Sequence, residues 1–368
     1  MDLVYKKILI IRLGAVGDVI RTLPALQALR SNLPHAYLAW AVEDRAASLL
    51  LNHPDLDEVF VIPRQKWQRE PLSLSTYRSA SDLLRKIRRA RFDYALDFHG
   101  LLKSGLITLL SGSAHRYGFS RAFCKEGNHL FTNYHQMLPE YKTNRVERNL
   151  FLVKALGLNI DDHTPTIPIS SEDQMVANAI MSTSGRDGSR LKILIHPGSS
   201  PQTPYKRWHW RRYAHLADGI IQRYGATVFF TGAQDEFDTV RQITGQMTES
   251  QYVICHTSTL TQLSALIKRC SLYIGNDTAP MHLAAFVGIP VIALFGPTDP
   301  TENAPYARNR SVVIRKDVSC NPCRNRRCND LRCMDAISVD DVLEAVEGIL
   351  SLRNADQATQ IPATPARQ

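Results

Sequence analysis

The stretch KILIIRLGAVGD, residues 7–18, decides the fold. Its first half, Lys7–Ile11, is dominated by a continuous apolar run, which is typical of a strand buried on both faces of a parallel sheet. Gly14 and Gly17 then allow a tight turn, and apolar residues recur at helical spacing from Val19 to Leu29. A strand, a glycine-containing turn and a helix in this order predict the first half of a βαβ unit.

The same alternation continues along the chain. In the first half, strands are predicted at Ala36–Val42, Val59–Ile62 and Tyr94–Phe98, with a helix over Ala46–Leu51. Segments rich in Pro, Ser and Gly then interrupt the pattern at 164–168 and 182–189, with a predicted helix between them. The pattern restarts in the second half, where the predicted strands are Lys192–His196, Thr227–Thr231, Tyr252–Cys255, Leu272–Ile274 and Val291–Phe295.

These elements predict an α/β protein with two Rossmann-like, doubly wound domains that face an interdomain cleft. We expect an N-terminal domain over residues 1–170 and a linker region over 171–190. A C-terminal domain is expected over 191–352, followed by a disordered tail over 353–368.

The net charge of the chain indicates what kinds of partner it can bind. The formal net charge of +9 favours an anionic partner: a nucleotide, a phosphorylated lipid, a membrane surface or a nucleic acid. Residues 64–91 contain nine Lys or Arg against Glu70 and Asp82, which indicates either a solvated helix face or a docking surface for an anionic acceptor or membrane leaflet. Nucleic acid is not expected, because few aromatic residues interleave with the basic ones and no binding module is recognisable.

No targeting signal is recognisable in the sequence. No stretch approaches the roughly 20 apolar residues that a membrane span requires, and the N-terminus has no signal-peptide pattern. Seven cysteines fit a reducing compartment. We therefore expect a cytoplasmic protein, with peripheral attachment to a membrane as a hypothesis motivated by the basic run.

Loops with polar side chains and glycine follow four of the predicted strands, and open α/β sheets bind ligands beyond the carboxyl ends of their strands. In the first loop, Gly14–Asp18, Asp18 fits either a helix cap or a general base. The second, His196–Ser200 followed by Lys206, suits a diphosphate. The third, Gly275–His282, opens a helix whose N-terminus can bind an anion, although Asp277 and Thr278 fit simple caps and His282 a packed helix residue. The fourth loop is Gly296–Pro300.

Taken in order, these motifs resemble those of the lipopolysaccharide heptosyltransferases, which transfer heptose from ADP-heptose. The resemblance runs from about Lys7 to Ile349 and is carried by Arg12–Asp18, Trp40–Glu43, Asp97–Ser104, His196–Ser200, Asn276–His282 and Gly296–Pro300. The N-terminal motifs, together with Asn144–Arg148, look closest to the heptosyltransferase I branch, which adds the first heptose to Kdo-lipid A.

The resemblance implies a GT-B fold, an inverting mechanism without a required metal or other cofactor, and Asp18 as the catalytic base. It places the ADP-sugar in the C-terminal domain, against Ser199, Ser200, Lys206, Asp277, Thr278, Ala279 and His282. The family's acidic residue for the ribose matches the segment Gly232–Glu236, so Glu236 is assigned to the donor, with Asp235 as the alternative. Cations of the N-terminal domain are candidates for the anionic acceptor: Arg64, Lys103, Arg116 and Arg121.

The implied function is transfer of L-glycero-D-manno-heptose from ADP-heptose to the Kdo/inner-core region of lipopolysaccharide. One alternative is a related transferase that uses another nucleotide sugar or a heptose acceptor, as heptosyltransferases II and III do. Another, of a different class, is a non-catalytic nucleotide- or metal-binding protein on the same double fold. The non-catalytic alternative would require Asp18 and Lys206 to be dispensable.

Cysteines cluster late in the chain. Cys320, Cys323, Cys328 and Cys333 fall within fourteen residues, with interleaved arginines that would favour thiolates. Two alternatives remain for them: a structural metal, as zinc or an iron–sulfur cluster, or reduced or disulfide-paired thiols. A separate Asp55-Leu56-Asp57 sequence is predicted to form a turn and not the metal site of a metal-dependent transferase.

Overall fold

The computed structural model describes residues 5–161, 165–183, 191–306, 311–323 and 325–359. The chain divides into two units. The N-terminal unit comprises Met1–Ser170 with Thr259–Thr261, and the C-terminal unit comprises Ser171–Ser258 with Gln262–Gln368. Each unit is built on its own six-stranded parallel sheet, which confirms the predicted α/β class with two doubly wound domains.

The N-terminal unit has strands β1 Lys7–Ile11, β2 Tyr37–Glu43, β3 Glu58–Ile62, β4 Tyr94–Asp97, β5 His115–Phe119 and β6 Tyr134–Gln136. Its α-helices are α1 Val16–Ile20, α2 Leu23–Asn32, α3 Arg64–Arg69, α4 Leu74–Arg89, α5 Leu102–Leu110 and α6 Arg145–Lys154. Short 3₁₀ helices cover Asp44–Leu49 and Asn128–Phe131. The strand order is β3-β2-β1-β4-β5-β6.

The C-terminal unit has strands β7 Lys192–His196, β8 Thr227–Thr231, β9 Tyr252–Cys255, β10 Leu272–Asn276, β11 Val291–Leu294 and β12 Ser311–Ile314. Its α-helices are α7 Ser171–Ser182, α8 Trp210–Tyr224, α9 Phe237–Gln246, α10 Leu260–Ile267, α11 Ala279–Val287, α12 Pro300–Asn303, α13 Arg332–Asp335 and α14 Val339–Thr359. Short 3₁₀ helices cover Pro204–Lys206 and Gln234–Glu236. The strand order is β12-β11-β10-β7-β8-β9.

The central strands are buried on both faces, as their apolar runs predict. Ile8–Ile11 of β1 are completely inaccessible to solvent, and so are Ile193–Ile195 of β7. Burying one such side chain contributes about 1.5–3 kcal/mol relative to leaving it exposed. Every predicted strand is present, with ends shifted by at most two residues.

The first helical run is interrupted at Arg21. A single helix from Val16 to Leu29 would need the residue at position 24 to donate its N–H to the carbonyl of Ile20, four residues earlier. Pro24 has no N–H, so α1 ends at Ile20 and α2 begins at Leu23. The helix predicted over Ala46–Leu51 is wrong in type, because residues 44–49 form a 3₁₀ helix.

Three strands were not predicted: β5, β6 and β12. The β6 sequence Tyr-His-Gln lies at one edge of its sheet and stays largely exposed, so it needs no apolar run. Within the predicted linker region, α7 forms as expected and residues 184–190 lie outside the described residues. The predicted tail from residue 353 overlaps α14, which ends at Thr359, and residues 360–368 lie outside the described residues.

Both sheets contain a topological switch point. From β1 the chain winds towards β3, and from β4 it winds the other way towards β6. The same reversal occurs between β7 and β10. Ligands of open α/β sheets bind at such points, beyond the carboxyl ends of the two central strands. The loops that follow β1, β4, β7 and β10 carry four of the sequence motifs, whereas the motif Gly296–Pro300 follows β11.

Candidate active site

Asp18 lies in the first turn of α1, directly beyond β1. The residue that caps α1 is Ala15, so the helix-cap interpretation of Asp18 is wrong. The two carboxylate oxygens instead form ion pairs with Arg12 and Arg21, and Arg145 Nη1 lies 3.8 Å from Oδ1. The Asp18 side chain is 20% exposed, which leaves part of the carboxylate open to a substrate.

This surrounding charge keeps Asp18 ionised. Burial by itself would raise the pKa of Asp18, but the positive charges of Arg12, Arg21 and Arg145 outweigh it and hold the pKa well below its usual range. The carboxylate is therefore fully deprotonated at neutral pH and free to accept a proton. The proton affinity of the carboxylate is low. It can therefore act as a base only towards a hydroxyl that has become acidic.

Several long-range contacts hold these arginines in place. Arg12 follows β1, its Nη1 donates to the Phe98 carbonyl after β4, and its own carbonyl accepts from Trp40 Nε1 at 3.1 Å. Arg145 begins α6, and α6 is tied to the α1–α2 junction by Asn149 Nδ2, which donates to the Arg21 carbonyl at 3.0 Å. Arg21 and Arg145 are site residues that the sequence did not single out.

Glu43 joins two of the predicted acceptor cations. Its Oε2 accepts from Arg64 Nη1 at 2.7 Å and its Oε1 from Lys103 Nζ at 2.7 Å. Glu43 is nearly buried at the end of β2, whereas about half of each cation remains exposed. A Cβ at Gly14 would lie 3.0 Å from Glu43 Oε2, so glycine permits the Asp18 loop to pass close to this carboxylate.

His99 lies among the same charges. Burial lowers the pKa of His99 to about 3, helped by the positive charges of Arg12, Lys103 and Arg64 and opposed by Asp18. Neither ring nitrogen has a hydrogen-bond partner among the described residues, although both are shielded from solvent. A neutral imidazole with free nitrogens can bind a hydroxyl group of a substrate. Its place beyond β4, within the Asp97–Ser104 motif, was the available signal.

The remaining two predicted acceptor cations lie apart from this group. Arg116 donates through Nε to the Phe131 carbonyl at 3.0 Å and through Nη1 to the Ser113 carbonyl at 2.9 Å. Its guanidinium is thus engaged by backbone. Arg121 is exposed in the turn after β5. The structure therefore brings Arg64 and Lys103 together, and it does not bring Arg116 or Arg121 to Glu43.

In the C-terminal unit, Asn276 joins the loops beyond β7 and β10. Its Nδ2 donates to the carbonyls of Pro197 and Gly198 at 2.9 and 3.1 Å. Its Oδ1 accepts from the Trp208 backbone at 3.2 Å and the Tyr213 hydroxyl at 3.0 Å. This fully buried amide holds the two predicted donor loops side by side.

Lys206 and Asp277 form the charged centre of these loops. Lys206 Nζ lies 2.6 Å from Asp277 Oδ2 and 3.3 Å from the Asp277 carbonyl. Thr278 caps α11 in an extended conformation, and Ala279 is the first helical residue. Thr278 alone therefore separates Asp277, the acid of the ion pair, from the first helical residue. His282, one turn further along, is buried in α11.

The two predicted serines differ in their contacts. Ser199 is buried, where its Oγ donates to the Thr203 carbonyl at 2.8 Å and accepts from Arg207 Nε at 3.0 Å. Arg207, which the sequence did not single out, also donates to the Ser199 carbonyl at 2.6 Å. Ser200 is exposed and its hydroxyl contacts Gln202. Ser200 is thus the more accessible of the pair.

Glu236, and not Asp235, lies against the His196–Ser200 loop. Its Oε2 accepts from the Ala233 backbone at 2.7 Å and lies 3.6 Å from His196 Nε2. A side chain at Gly198 would overlap the Glu236 carboxylate, so the glycine is required for this approach. Burial lowers the pKa of His196, which favours the neutral imidazole, while Asp235 is exposed.

The cysteine segment packs on the fourth loop. Cys323 N donates to the Pro297 carbonyl at 3.0 Å, and Asn321 Nδ2 to the Gly296 carbonyl at 3.3 Å. Burial raises the pKa of Cys333, and Arg332 pairs with Asp330, so the predicted thiolate does not form at Cys333. Arg324 lies outside the described residues.

Metal ligation was one alternative for these cysteines. Across the described ranges, which include all four thiols, no group of three or more His, Cys, Asp or Glu is arranged to hold a metal ion. A structural metal is therefore not supported. The Asp55–Asp57 segment forms a turn as predicted, in which Asp57 Oδ2 accepts from the Leu38 backbone at 2.8 Å and from Arg30 at 2.7 Å.

The fold has close counterparts among solved structures. A structure of the Escherichia coli heptosyltransferase WaaC with ADP superposes with a TM-score of 0.73 at 20% identity, over 93% of this chain and 99% of that chain. Two Rossmann-like sheets with this topology constitute the GT-B fold. The likeness therefore shows the fold of the protein, which is GT-B.

Sequence comparisons give the family. The model of glycosyltransferase family 9 (heptosyltransferase) matches residues 80–333, and the chain belongs to that family. It is 26% identical to the lipopolysaccharide core heptosyltransferase OpsX of Haemophilus influenzae, over 84% of this chain and 84% of that protein. It is also 26% identical to a lipopolysaccharide heptosyltransferase 1 of Campylobacter coli, over 93% of this chain and 98% of that protein.

Within the part of the chain that the structure describes, no helix combines the length and the apolar composition that crossing a bilayer requires.

Proposed function

We propose that this glycosyltransferase moves L-glycero-D-manno-heptose from ADP-heptose to the Kdo/inner-core region of lipopolysaccharide, with Asp18 as the general base. The single observation that carries the proposal is the Asp18 carboxylate, which three arginines keep ionised beyond β1. The named relatives support the substrate class, because they include a lipopolysaccharide core heptosyltransferase. The match to a heptosyltransferase structure with ADP supports the donor.

The weak basicity of Asp18 suggests how proton transfer is timed. As the acceptor oxygen bonds to the anomeric carbon, its proton becomes strongly acidic, and a weakly basic carboxylate then suffices to remove it. Attack on the face opposite the leaving diphosphate inverts the anomeric centre. General base catalysis of this kind contributes about 10²–10⁴-fold.

The leaving group is a diphosphate that gains negative charge. Lys206 and the N-terminus of α11, where Thr278 and Ala279 lie, are the proposed partners of that charge. Ser200 supplies an exposed hydroxyl, and Glu236 is proposed for the ribose hydroxyls, in line with its place beside Gly198. Ser199 is buried and holds its loop through the Thr203 carbonyl, Asp277 positions Lys206, and His282 is buried one turn into α11.

The acceptor is anionic, through Kdo carboxylates and lipid A phosphates. Arg64 and Lys103 are the proposed binding residues, because each keeps an exposed face while Glu43 fixes its position. Arg116 and Arg121 stay outside this group. The protein is proposed to work in the cytoplasm, peripherally attached to the inner face of the inner membrane, where the basic residues 64–91 meet anionic lipid.

The test is a purified-enzyme assay. ADP-heptose is offered with a panel of soluble acceptors that carry either Kdo or heptose at the accepting end. We expect transfer to the Kdo-terminated acceptors and a product with the inverted anomeric configuration. Transfer only to heptose-terminated acceptors would reassign the protein to another branch, and no transfer from ADP-heptose would contradict the proposal.

A further inference from the structure

Helix α5 has the reverse of the usual polarity. Its buried residues are Ser104, Gly105 and Thr108, while Leu102, Leu106, Leu109 and Leu110 are each between 40% and 44% exposed. Helices on the surface of soluble proteins normally bury their apolar stripe and expose the polar one. Since successive helical residues are about 100° apart, the four leucines lie within an arc of about 100° on one face. We call this face, with these four residues, the leucine face.

The inner side of α5 has a clear structural reason. The Thr108 hydroxyl donates to the Ser104 carbonyl at 2.8 Å and lies 3.4 Å from the buried carboxylate of Asp97. A Cβ at Gly105 would lie 2.6 Å from the Phe131 ring, so a small residue is required there. These contacts explain polar and small residues inside, but none of them requires leucine outside.

Two elements that pack against α5 carry a further exposed leucine and positive charge. The 3₁₀ helix Asn128–Phe131 packs against α5 and carries Leu130, which is 75% exposed. On another side, α4 packs against α5, and Arg88 lies beside Gly112, where a Cβ would meet the arginine Cγ at 3.8 Å. Arg88 and Arg89, in the last turn of α4, are exposed.

Two acidic residues on or beside these helices, Glu126 and Asp82, already have partners. Glu126 accepts from the Leu102 backbone at 3.2 Å, at the N-terminal end of α5. Asp82 pairs with Arg85 at 2.6 Å on α4. Residues 64–91 together carry nine cations against two acids, a balance of +7. An apolar strip beside a strongly basic helix is complementary to one kind of partner, a bilayer with anionic headgroups and apolar chains.

We propose that the leucine face, flanked by the basic C-terminal end of α4, is the surface through which the protein docks on anionic membranes. The leucines enter the boundary between headgroups and acyl chains, and Arg88 and Arg89 contact lipid phosphates. The inference rests on the proposed function, because a lipid-linked acceptor requires the enzyme to work at a bilayer. It goes beyond that function by assigning the attachment to α5, and not to the basic run alone.

The test compares variants in vesicle flotation. The double variant Leu106→Gln/Leu109→Gln is mixed with vesicles of phosphatidylethanolamine and phosphatidylglycerol, or of phosphatidylcholine alone. Wild type is expected to float with the anionic vesicles only, and the double variant to partition at least roughly tenfold less, since two half-buried leucines lose their transfer into lipid. Arg88→Gln/Arg89→Gln is expected to lower partitioning by about tenfold at low salt and to flatten its salt dependence.

Matched controls separate docking from folding and from catalysis. Leu51→Gln changes a leucine of similar exposure in the same unit and should float as wild type does. Leu106→Ala/Leu109→Ala removes apolar surface with a residue of high helix propensity, so it serves if the glutamine variant does not fold. All leucine variants should transfer heptose to a lipid-free, Kdo-terminated acceptor at the wild-type rate, so docking and transfer can fail independently.

Three results would overturn the proposal. The first is equal flotation of wild type and both leucine double variants. The second is wild type that ignores anionic vesicles while it remains active on the soluble acceptor. The third is a wild-type dimer in sedimentation velocity that the leucine variants convert to a monomer, which would assign the leucine face to a second copy of the chain.

Discussion

The two switch points of this molecule share a topology but differ in how they hold charge. Beyond β1 and β4, Asp18 faces three arginines and stays partly open to solvent. Beyond β7 and β10, Asp277 is buried and pairs with one cation, Lys206, while Glu236 accepts from a backbone N–H. Sheet topology thus places a group of charges beyond each pair of central strands, and the proposed roles differ with the surroundings: a base for Asp18 and a positioning carboxylate for Asp277.

The largest effect is expected at the N-terminal switch point. Asp18→Asn keeps the size of the side chain but removes its ability to accept a proton. We expect kcat to fall by about 10²–10⁴-fold, with the affinity for ADP unchanged. Initial rates with ADP-heptose and a soluble Kdo-terminated acceptor, together with calorimetric titration of ADP, measure both quantities.

Asp82→Asn is the matched control, because Asp82 is an exposed acid of the same unit that pairs with Arg85 one turn away. It should retain wild-type kcat. An Asp18→Asn enzyme with wild-type kcat and an unchanged melting temperature would remove Asp18 from the mechanism.

At the C-terminal switch point, Lys206→Met removes the cation beside Asp277. We expect kcat/KM for the donor to fall by about 10²-fold, because one preorganised charge on the leaving group is lost. ADP binding should weaken as well.

The double variant Lys206→Met/Asp277→Asn avoids leaving a buried carboxylate without its cation. Lys268→Met, at an exposed lysine, is the control. Intact donor kinetics in the double variant would refute the assignment.

The sequence predicts four acceptor-binding cations, and the structure brings two of these four, Arg64 and Lys103, to Glu43. Arg64→Gln and Lys103→Gln should each raise KM for the acceptor by roughly tenfold while KM for the donor stays the same, since a charge-assisted hydrogen bond is lost. Arg121→Gln should change KM for the acceptor less than about twofold. Steady-state kinetics at varied acceptor concentration measure these KM values. A large rise of KM for the acceptor in Arg121→Gln would show that the acceptor reaches beyond the Glu43 group.

The smallest effect concerns stability. The pKa of His99 is lowered to about 3 from an ordinary value near 6.5. Between these values the unfolded chain binds a proton that the folded chain does not, so this histidine makes the protein less stable as pH falls from 6.5 to 3. The slope contributed is at most about 1.4 kcal/mol per pH unit, and less for a partly exposed ring.

His99→Gln removes this contribution. Urea denaturation between pH 4 and 7 should show a shallower loss of the free energy of unfolding for His99→Gln than for wild type. His35→Gln, at an exposed position of the same unit, should retain the wild-type slope. Identical slopes for His99→Gln and wild type would mean that the imidazole is not held among the cations in the folded protein.

Much of the fold was predictable because its signals are local. Apolar runs predicted the central strands, such as β1 and β7, because a strand buried on both faces must be apolar throughout. The edge strand β6 was missed for the complementary reason, since an exposed strand has no such requirement. Asp18 and the α11 N-terminus were singled out from their places in the loops after β1 and β10, and Lys206 because it follows the His196–Ser200 loop.

The sequence by itself determined the α/β class, the central strands and the family. Only the tertiary structure decided which charges meet. Arg145 reaches Asp18 from α6, Glu43 joins Arg64 to Lys103, and Glu236 contacts the Gly198 loop from beyond β8. The physical reason is separation along the chain: periodicity and turn chemistry act over a few residues, whereas these pairs are brought together only by the order in which the strands enter the sheet.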